Sequence, residues 1–148
     1  MTEFEYQNVE AWHTAVKLSA SVGRLKIGSN LKASQDAQAH AFEQAGLATA
    51  LIAEASGREA GAAVALYRDA RGALAQCRAW IHILAAVTNE NDSVFGTELD
   101  LAEQAAKQVG ALIRVSDRGP AGAGPRPPLR GPAPGGQRPP LRGPGGPR

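Results

Sequence analysis

The position of the prolines constrains this chain more than any other feature. All ten lie between Pro120 and Pro147, and residues 1–118 contain none. Proline inside a helix removes a backbone hydrogen bond and clashes with the preceding turn. A long proline-free stretch rich in Ala, Leu, Glu and Gln therefore favours helices. The sequence predicts a helical domain over residues 1–118 and a separate tail over residues 119–148.

Two stretches of helical periodicity occupy the N-terminal half. The first follows Asn8, a good N-cap residue, and is predicted to end at residues 28–30. The second is predicted to begin near Ser34 and to stop at residues 56–57, a Ser-Gly pair. The predicted buried faces are Val9, Trp12, Val16, Ala20 and Ile27 in the first stretch, and Ala37, Ala41, Ala45, Ala48, Ile52 and Ala55 in the second.

The third stretch has the most regular pattern. Its apolar positions alternate three and four residues apart over four heptads, which is typical of helices packed in a bundle. These positions are Ala60, Ala63, Tyr67, Ala70, Leu74, Cys77, Ile81 and Leu84. The fourth stretch is predicted to begin near Thr97, with Asp100 completing a weak capping box. Its apolar positions are Leu99, Ala102, Ala106, Val109 and Ile113.

Short polar loops separate these stretches. Short connections favour antiparallel neighbours. The sequence therefore predicts an all-α fold, an antiparallel up-down-up-down four-helix bundle followed by a disordered C-terminal tail.

The face of the third stretch opposite its apolar seam carries small residues. Ala65, Gly72, Ala79 and Ala86 occupy it, with Trp80 at its edge. A helix face exposed to solvent normally carries Lys and Glu instead. Two interpretations stay open. The helix is simply rich in alanine, or these five residues form an interface through which copies of the chain associate.

Charge divides between the two regions. Residues 1–118 hold all 14 acidic and 11 of the 16 basic side chains, for a net charge of −3. The tail holds five arginines and no acid, for a net charge of +5. A basic arm is typical of proteins that bind nucleic acid or another polyanion. The tail arginines are Arg126, Arg130, Arg138, Arg142 and Arg148.

The tail is built from a repeat. Residues 119–130 and 131–142 agree at nine positions, and only Leu129 and Leu141 are sizeable apolar residues. Such a segment buries too little surface to offset its ordering entropy, which predicts disorder. Three roles stay open: a solubilising or functionless repeat, a phosphate-binding arm, and a ligand for a proline-reading partner.

Four arginines of the helical domain are further candidates. Arg58, Arg68, Arg71 and Arg78 would add a basic surface to the tail. The alternative is that Arg71 and Arg78 cover the edge of the core with their stems while their charged ends pair with acids. The candidate acids are Glu43, Glu54 and Glu103.

Signals for chemistry are weak. Glu10 and His13 form one Glu-x-x-His pair, which di-iron bundles need twice, and no second copy exists. Cys77 falls in the apolar seam and is predicted to be a core residue rather than a nucleophile. No nucleophile elbow, phosphate-binding loop or zinc pattern occurs. We therefore expect a protein that is not an enzyme and has no metal or cofactor.

A single cysteine excludes an intrachain disulfide and favours a reducing compartment. The acidic N-terminus does not resemble a secretory signal. No apolar run approaches the ~20 residues that span a bilayer. We expect a cytoplasmic protein with no membrane segment.

Three segments resemble one family, the bacterial four-helix-bundle proteins encoded within 23S rRNA intervening sequences. Residues 4–16 resemble the family's opening helix. Residues 52–58 are similar to its Ile-Ala-Glu-Gly-x-Gly-Arg segment, and residues 67–74 to its Ala-Arg-Gly-Ser-Leu stretch. Ala55, Ala73 and Gln76 stand where the family usually has Gly, Ser and Glu, and the tail lies outside the family pattern.

The same superfamily includes the accessory variability protein of diversity-generating retroelements, a ring of five bundles that binds a reverse transcriptase and nucleic acid. The resemblance implies a four-helix bundle, a homopentamer and a non-catalytic, nucleic-acid-associated role. The implied partners are other copies of the chain, RNA or DNA, and a nucleic-acid enzyme. The alternative is a protein-interaction scaffold that binds no nucleic acid, which the mildly acidic domain and the proline-rich tail favour.

Overall fold

The computed structural model of the chain describes residues 5–117, and all regular structure in that range is helical. Four α-helices, α1 to α4, span Glu10–Gly23, Lys32–Ser56, Ala60–Val87 and Gly96–Asp117. Short 3-10 helices span Glu5–Asn8 and Asp92–Phe95. The prediction of an all-α fold with four helices is confirmed. The tail over residues 119–148, predicted to be disordered, lies outside the described residues.

Each α-helix packs on two neighbours. α1 contacts α2 and α4, and α3 contacts the same two helices. The four helices enclose one core in which alanine is the commonest residue. Small side chains let the helix axes approach closely. The largest fully buried side chains are Leu18, Ile52, Leu74, Ile81 and Leu84.

The predictions for α2 and α3 are largely confirmed. All six residues of the predicted α2 face are buried, and Gly57 follows the last helical residue. Every predicted seam residue of α3 is buried except Ala60, which lies in the exposed first turn. Val64, Ala73 and Ala85 are buried as well, because α3 packs on α2 along one side and on α4 along the other.

The predicted face of α1 is wrong at Val16 and Ala20, whereas the other three predicted residues pack against the core without being fully buried. The helix buries Ala11, Thr14, Ala15, Leu18 and Val22 instead. Val16 and Ala20 are exposed, whereas Val9, Trp12 and Ile27 are half-buried. The buried set has the same three-and-four spacing as the predicted one. It places the small Ala11 and Ala15 where neighbouring helices approach, and it leaves the bulkier Trp12 at the edge.

Both predicted ends of α1 are also wrong. Asn8 closes the 3-10 helix, and Val9 takes the N-cap position without a side-chain hydrogen bond. At the other end the helix stops at Gly23, before residues 28–30. Gln38 of α2 fastens the segment that follows this early stop. Its Nε2 donates to the carbonyl oxygens of Val22 and Leu25, at 3.0 and 2.9 Å, and the Val22 oxygen also accepts a 3.2 Å hydrogen bond from the Leu25 backbone N–H.

The start of α4 also differs from the prediction. Thr97 lies inside the first turn, so the Thr97–Asp100 capping box is absent. The chain is already helical from Asp92, where Asn91 caps the 3-10 helix by accepting a 3.2 Å hydrogen bond from the Ser93 backbone N–H. The predicted apolar positions of α4 are either buried (Ala102, Val109 and Ile113) or half-buried (Leu99 and Ala106).

The alanine core generates a stability prediction. Ala45 is fully buried in α2, whereas Ala39 is exposed on the same helix. We expect Ala45→Leu to lower the free energy of unfolding by about 1–3 kcal/mol, because the added methylenes overpack a close interface. Ala39→Leu should change it by less than about 0.5 kcal/mol. Urea unfolding of both variants measures the difference, and equal effects would contradict the close-packed core.

Candidate interaction surfaces

The outer face of α3 is as small and as exposed as the sequence predicts. Ala65, Gly72, Ala79 and Ala86 are all exposed. A Cβ added at Gly72 would meet no atom within 4 Å, so packing within the chain does not require glycine there. Glycine inside a helix costs about 1 kcal/mol relative to alanine. Gly46 in α2 and Gly61 in α3 have equally open surroundings.

The groove between α2 and α3 adds apolar side chains to this face. Leu47 on α2 is 46% exposed, and Ile83 on α3 is 42% exposed. Leu47 lines the groove together with Leu51, Gly72 and Gln76. In the same groove the Gln44 Oε1 is buried without a hydrogen-bond partner. We call this combined surface, the outer face of α3 with the adjoining α2 groove, the small-residue face.

Trp80 connects the two helices at the edge of the small-residue face. Its indole stacks on the His40 imidazole of α2, with ring centroids 4.3 Å apart and planes 21° apart. The His40 Nδ1 lies 3.8 Å from a carboxylate oxygen of Glu43. Trp80 is half-buried. Trp80 was predicted to lie at an interface between copies of the chain, and part of its surface already contacts α2 within the chain.

Two of the four candidate arginines are paired within the chain. The Arg58 Nη2 lies 3.1 Å from a Glu54 carboxylate oxygen, one helical turn before it. The Arg68 Nη2 lies 3.7 Å from the Asp117 carboxylate at the end of α4. Both pairs are about half exposed, so each contributes little to stability.

Arg71 and Arg78 are exposed and form no ion pair with any described residue. The predicted pairing with Glu43, Glu54 or Glu103 is wrong because each acid has another partner. These partners are His40 for Glu43, Arg58 for Glu54 and Lys107 for Glu103. The charged ends of Arg71 and Arg78 remain available at the surface. The tail arginines Arg126, Arg130, Arg138, Arg142 and Arg148 lie outside the described residues.

The Glu10–His13 pair does not form a metal site. Both residues are exposed, and the His13 Nε2 lies 2.6 Å from the backbone oxygen of Gln7. Within residues 5–117 no group of three His, Cys, Asp or Glu side chains is placed to hold a metal ion. His82 instead pairs with Asp92, at 3.2 Å.

Sequence reasoning missed one buried carboxylate. Glu98, in the first turn of α4, is 5% exposed and accepts a hydrogen bond from the Ser21 hydroxyl of α1. The contact joins α1 to α4. The spacing of residues could have predicted this burial. Glu98 precedes the buried Ala102 by four residues and Ala105 by seven, which places it on the same face of α4.

Two clefts lie at the ends of the helices. One lies between the α1–α2 connector, including Lys26 and Ile27, and Glu90 and Phe95 of the α3–α4 connector. The other lies between the α2–α3 turn and Val115 near the end of α4.

Comparisons of the chain with protein families, with curated proteins and with solved structures gave no match. The family resemblance in residues 4–115 therefore stays a prediction. None of the helices within residues 5–117 combines the length and the apolar character needed to cross a bilayer.

Cys77 lies in the core, as its seam position predicts. It is fully buried in α3, and burial raises the pKa of its thiol from an ordinary value near 9 to about 12. The folded chain therefore keeps this thiol protonated and unreactive at pH values where an exposed cysteine forms a thiolate.

This shift predicts a loss of stability in alkali. The unfolded chain releases the thiol proton above pH 9, whereas the folded chain holds it until about pH 12. The stabilisation is complete below pH 9 and is lost as the pH rises toward 12, by about 1.4 kcal/mol per unit for one group. Burial also raises the pKa of Tyr67, which adds to the loss.

Urea unfolding between pH 9 and pH 12 tests whether the Cys77 thiol causes this loss of stability. Cys77→Ala should reduce the slope of stability against pH while Tyr67 still contributes. An unchanged slope in Cys77→Ala would contradict it, and Tyr67→Phe serves as the matched control for the second group.

Proposed function

We propose that this protein is a non-catalytic, oligomeric four-helix-bundle accessory or scaffold protein associated with nucleic acid. The observation that carries the proposal is the exposed small-residue face of α2 and α3. The positive charge of the tail, beside a mildly acidic domain, suggests that the ligand is a nucleic acid. A cytoplasmic location is part of the proposal, supported by the single, buried Cys77.

The bundle would have antiparallel, up-down-up-down topology. The helices pack in a closed cycle, with α1 beside α2 and α4, and α3 beside the same two. Arg68, early in α3, contacts Asp117 at the end of α4. His82, late in α3, contacts Asp92 just before α4 begins. Helices that run in opposite directions bring these two pairs together.

Self-association would bury the small-residue face. An exposed glycine inside a helix lowers the stability of an isolated chain, and Gly61 and Gly72 on α3 make no contact that requires them. Small residues let a second helix approach closely, and Leu47 and Ile83 would lose their exposure to water. The family resemblance suggests five copies. The pattern of small residues on α3 suggests an interface formed by Ala65, Gly72, Ala79, Ala86 and Trp80.

The tails would supply most of the nucleic-acid contacts. Each chain contributes five arginines without acids between residues 119 and 148. An oligomer presents several such arms, so contacts that are weak singly add up through their high local concentration. Phosphate contacts of this kind are sensitive to salt and indifferent to base sequence. The resemblance suggests a reverse transcriptase or ribonucleoprotein as a further partner.

A protein-interaction scaffold without nucleic-acid binding is the second candidate. The net charge of −3 on residues 1–118 favours it, since this charge repels phosphate. Exposed apolar groups in the α2–α3 groove would then contact a different protein.

A salt titration of binding to generic RNA and DNA separates the two candidates. The full-length protein should bind, and log affinity should fall steeply with log salt. Removal of residues 119–148 should reduce that slope by up to about 3.5, at about 0.7 per phosphate contact on a single strand. A full-length variant with Gln at the five tail arginines should behave like the truncation.

Failure of the full-length protein to bind at low salt would remove nucleic acid from the proposal. The protein-interaction candidate would then stand. Equal slopes for the full-length and truncated proteins would assign binding to the helical domain instead of the tail.

A further inference from the structure

The surface between α3 and α4 carries arginines that form no ion pair with any described residue. In the proposed antiparallel arrangement, the Arg68–Asp117 ion pair sets the register of the two helices. An α-helix rises about 1.5 Å per residue. Three residues along α3 and three back along α4 therefore bring Arg71 level with Arg114. The same register brings Arg78 level with Lys107.

Two acidic side chains beside these arginines are already paired, whereas Asp100 lies two helical turns before Lys107 and forms no ion pair with any described residue. Asp117 pairs with Arg68, and Glu103 pairs with Lys107 at 3.3 Å. Arg71, Arg78 and Arg114 are exposed and form no ion pair with any described residue. Three arginines on this surface therefore have no acidic partner among the described residues, although residues 1–118 as a whole carry a net negative charge.

Small residues lie between these charges. A Cβ added at Gly110 would lie 3.7 Å from the Arg114 Nη1, so the guanidinium extends back along α4 above the glycine. The register places Gly110 level with Ala75, which is exposed between Arg71 and Arg78. Those two arginines are two turns apart, or about 10 Å along the helix. Small residues therefore separate the three arginines, with the exposed Ala75 on α3 and the buried Gly110 beneath the Arg114 guanidinium on α4. We call this basic surface between α3 and α4 the groove.

Arg71 and Arg114 lie toward the end of the domain that precedes the tail in the sequence, whereas Arg78 lies level with the middle of α4. Asp92 pairs with His82 near the other end of α3, and Asp100 lies in the first turns of α4 at that end. Asp117, the last residue of α4, is followed in the sequence by Arg118 and the tail. The groove and the tail can therefore contact one continuous polyanion.

We propose that Arg71, Arg78 and Arg114 form a groove that binds the phosphate backbone of a nucleic acid. This inference rests on the proposed nucleic-acid association and adds a site on the helical domain to the tail. A guanidinium donates two parallel hydrogen bonds to a phosphate, which lysine cannot do. The groove residues include no aromatic ring on which a base could stack, so binding is independent of base sequence.

The test uses the full-length protein and a labelled single-stranded oligonucleotide of mixed sequence, with fluorescence anisotropy over a salt titration. Arg71→Gln/Arg78→Gln should weaken binding and lower the salt slope by about 1.4, at about 0.7 for each lost contact. Arg71→Lys/Arg78→Lys keeps the charge and should keep most of the slope. The matched control is Lys17→Gln/Arg24→Gln, which removes two exposed charges from α1 and its C-cap and should leave the slope unchanged.

Each outcome decides between the two proposals. If the wild type binds and Arg71→Gln/Arg78→Gln matches it, the groove is wrong while the tail-based function stands. If Arg71→Gln/Arg78→Gln and Lys17→Gln/Arg24→Gln lower the salt slope equally, binding depends only on the net charge of the protein, and the groove is again wrong. If the wild type does not bind, both proposals fall. Thermal unfolding checks the fold, and if the double variant does not fold, each single Gln variant should lose about half of the slope change.

Discussion

The close approach of α2 and α3, which their alanines permit, is the contact on which the rest of the structure depends. These two helices share the most extensive interface in the domain. Ala41, Ala45 and Ala48 on α2 are fully buried, as is Ala70 on α3. Because these side chains are small, the two helix axes can lie close together. The dispersion contacts between the helices are then dense, and a larger side chain would not fit without displacing them. The same packing buries Cys77 and keeps its thiol protonated.

Small residues continue past the core onto the outer surface of both helices. On the outer face of α3 small residues are not required by packing within the chain, because Gly61 and Gly72 touch nothing that would exclude a side chain. Inside the domain, alanine brings helices together. Outside it, the same composition leaves a surface suited to another helix. The three acids considered as partners for Arg71 and Arg78 pair elsewhere, and both arginines form no ion pair with any described residue.

The sequence predicted α2 and α3 well because each carries only one continuous apolar pattern. It failed on α1, where two sets of residues have the same spacing and the choice depends on which small residues meet neighbouring helices. At the early end of α1, Gln38 donates to the Val22 and Leu25 carbonyls, and because Gln38 is distant in sequence this contact forms only after folding. The acid partners of the arginines depend in the same way on the tertiary register, as Arg68 with Asp117 illustrates.

The mass of the full-length protein in solution tests the role of the small-residue face most directly. Sedimentation equilibrium should give a multiple of the 15.4 kDa chain. Ala79→Glu should reduce that mass while the helical content stays intact, because it places a charge on the small-residue face. Ala20→Glu, at an exposed position of α1, should leave the mass unchanged. A wild-type mass of one chain would contradict self-association, and an assembly unaffected by Ala79→Glu would place the interface elsewhere.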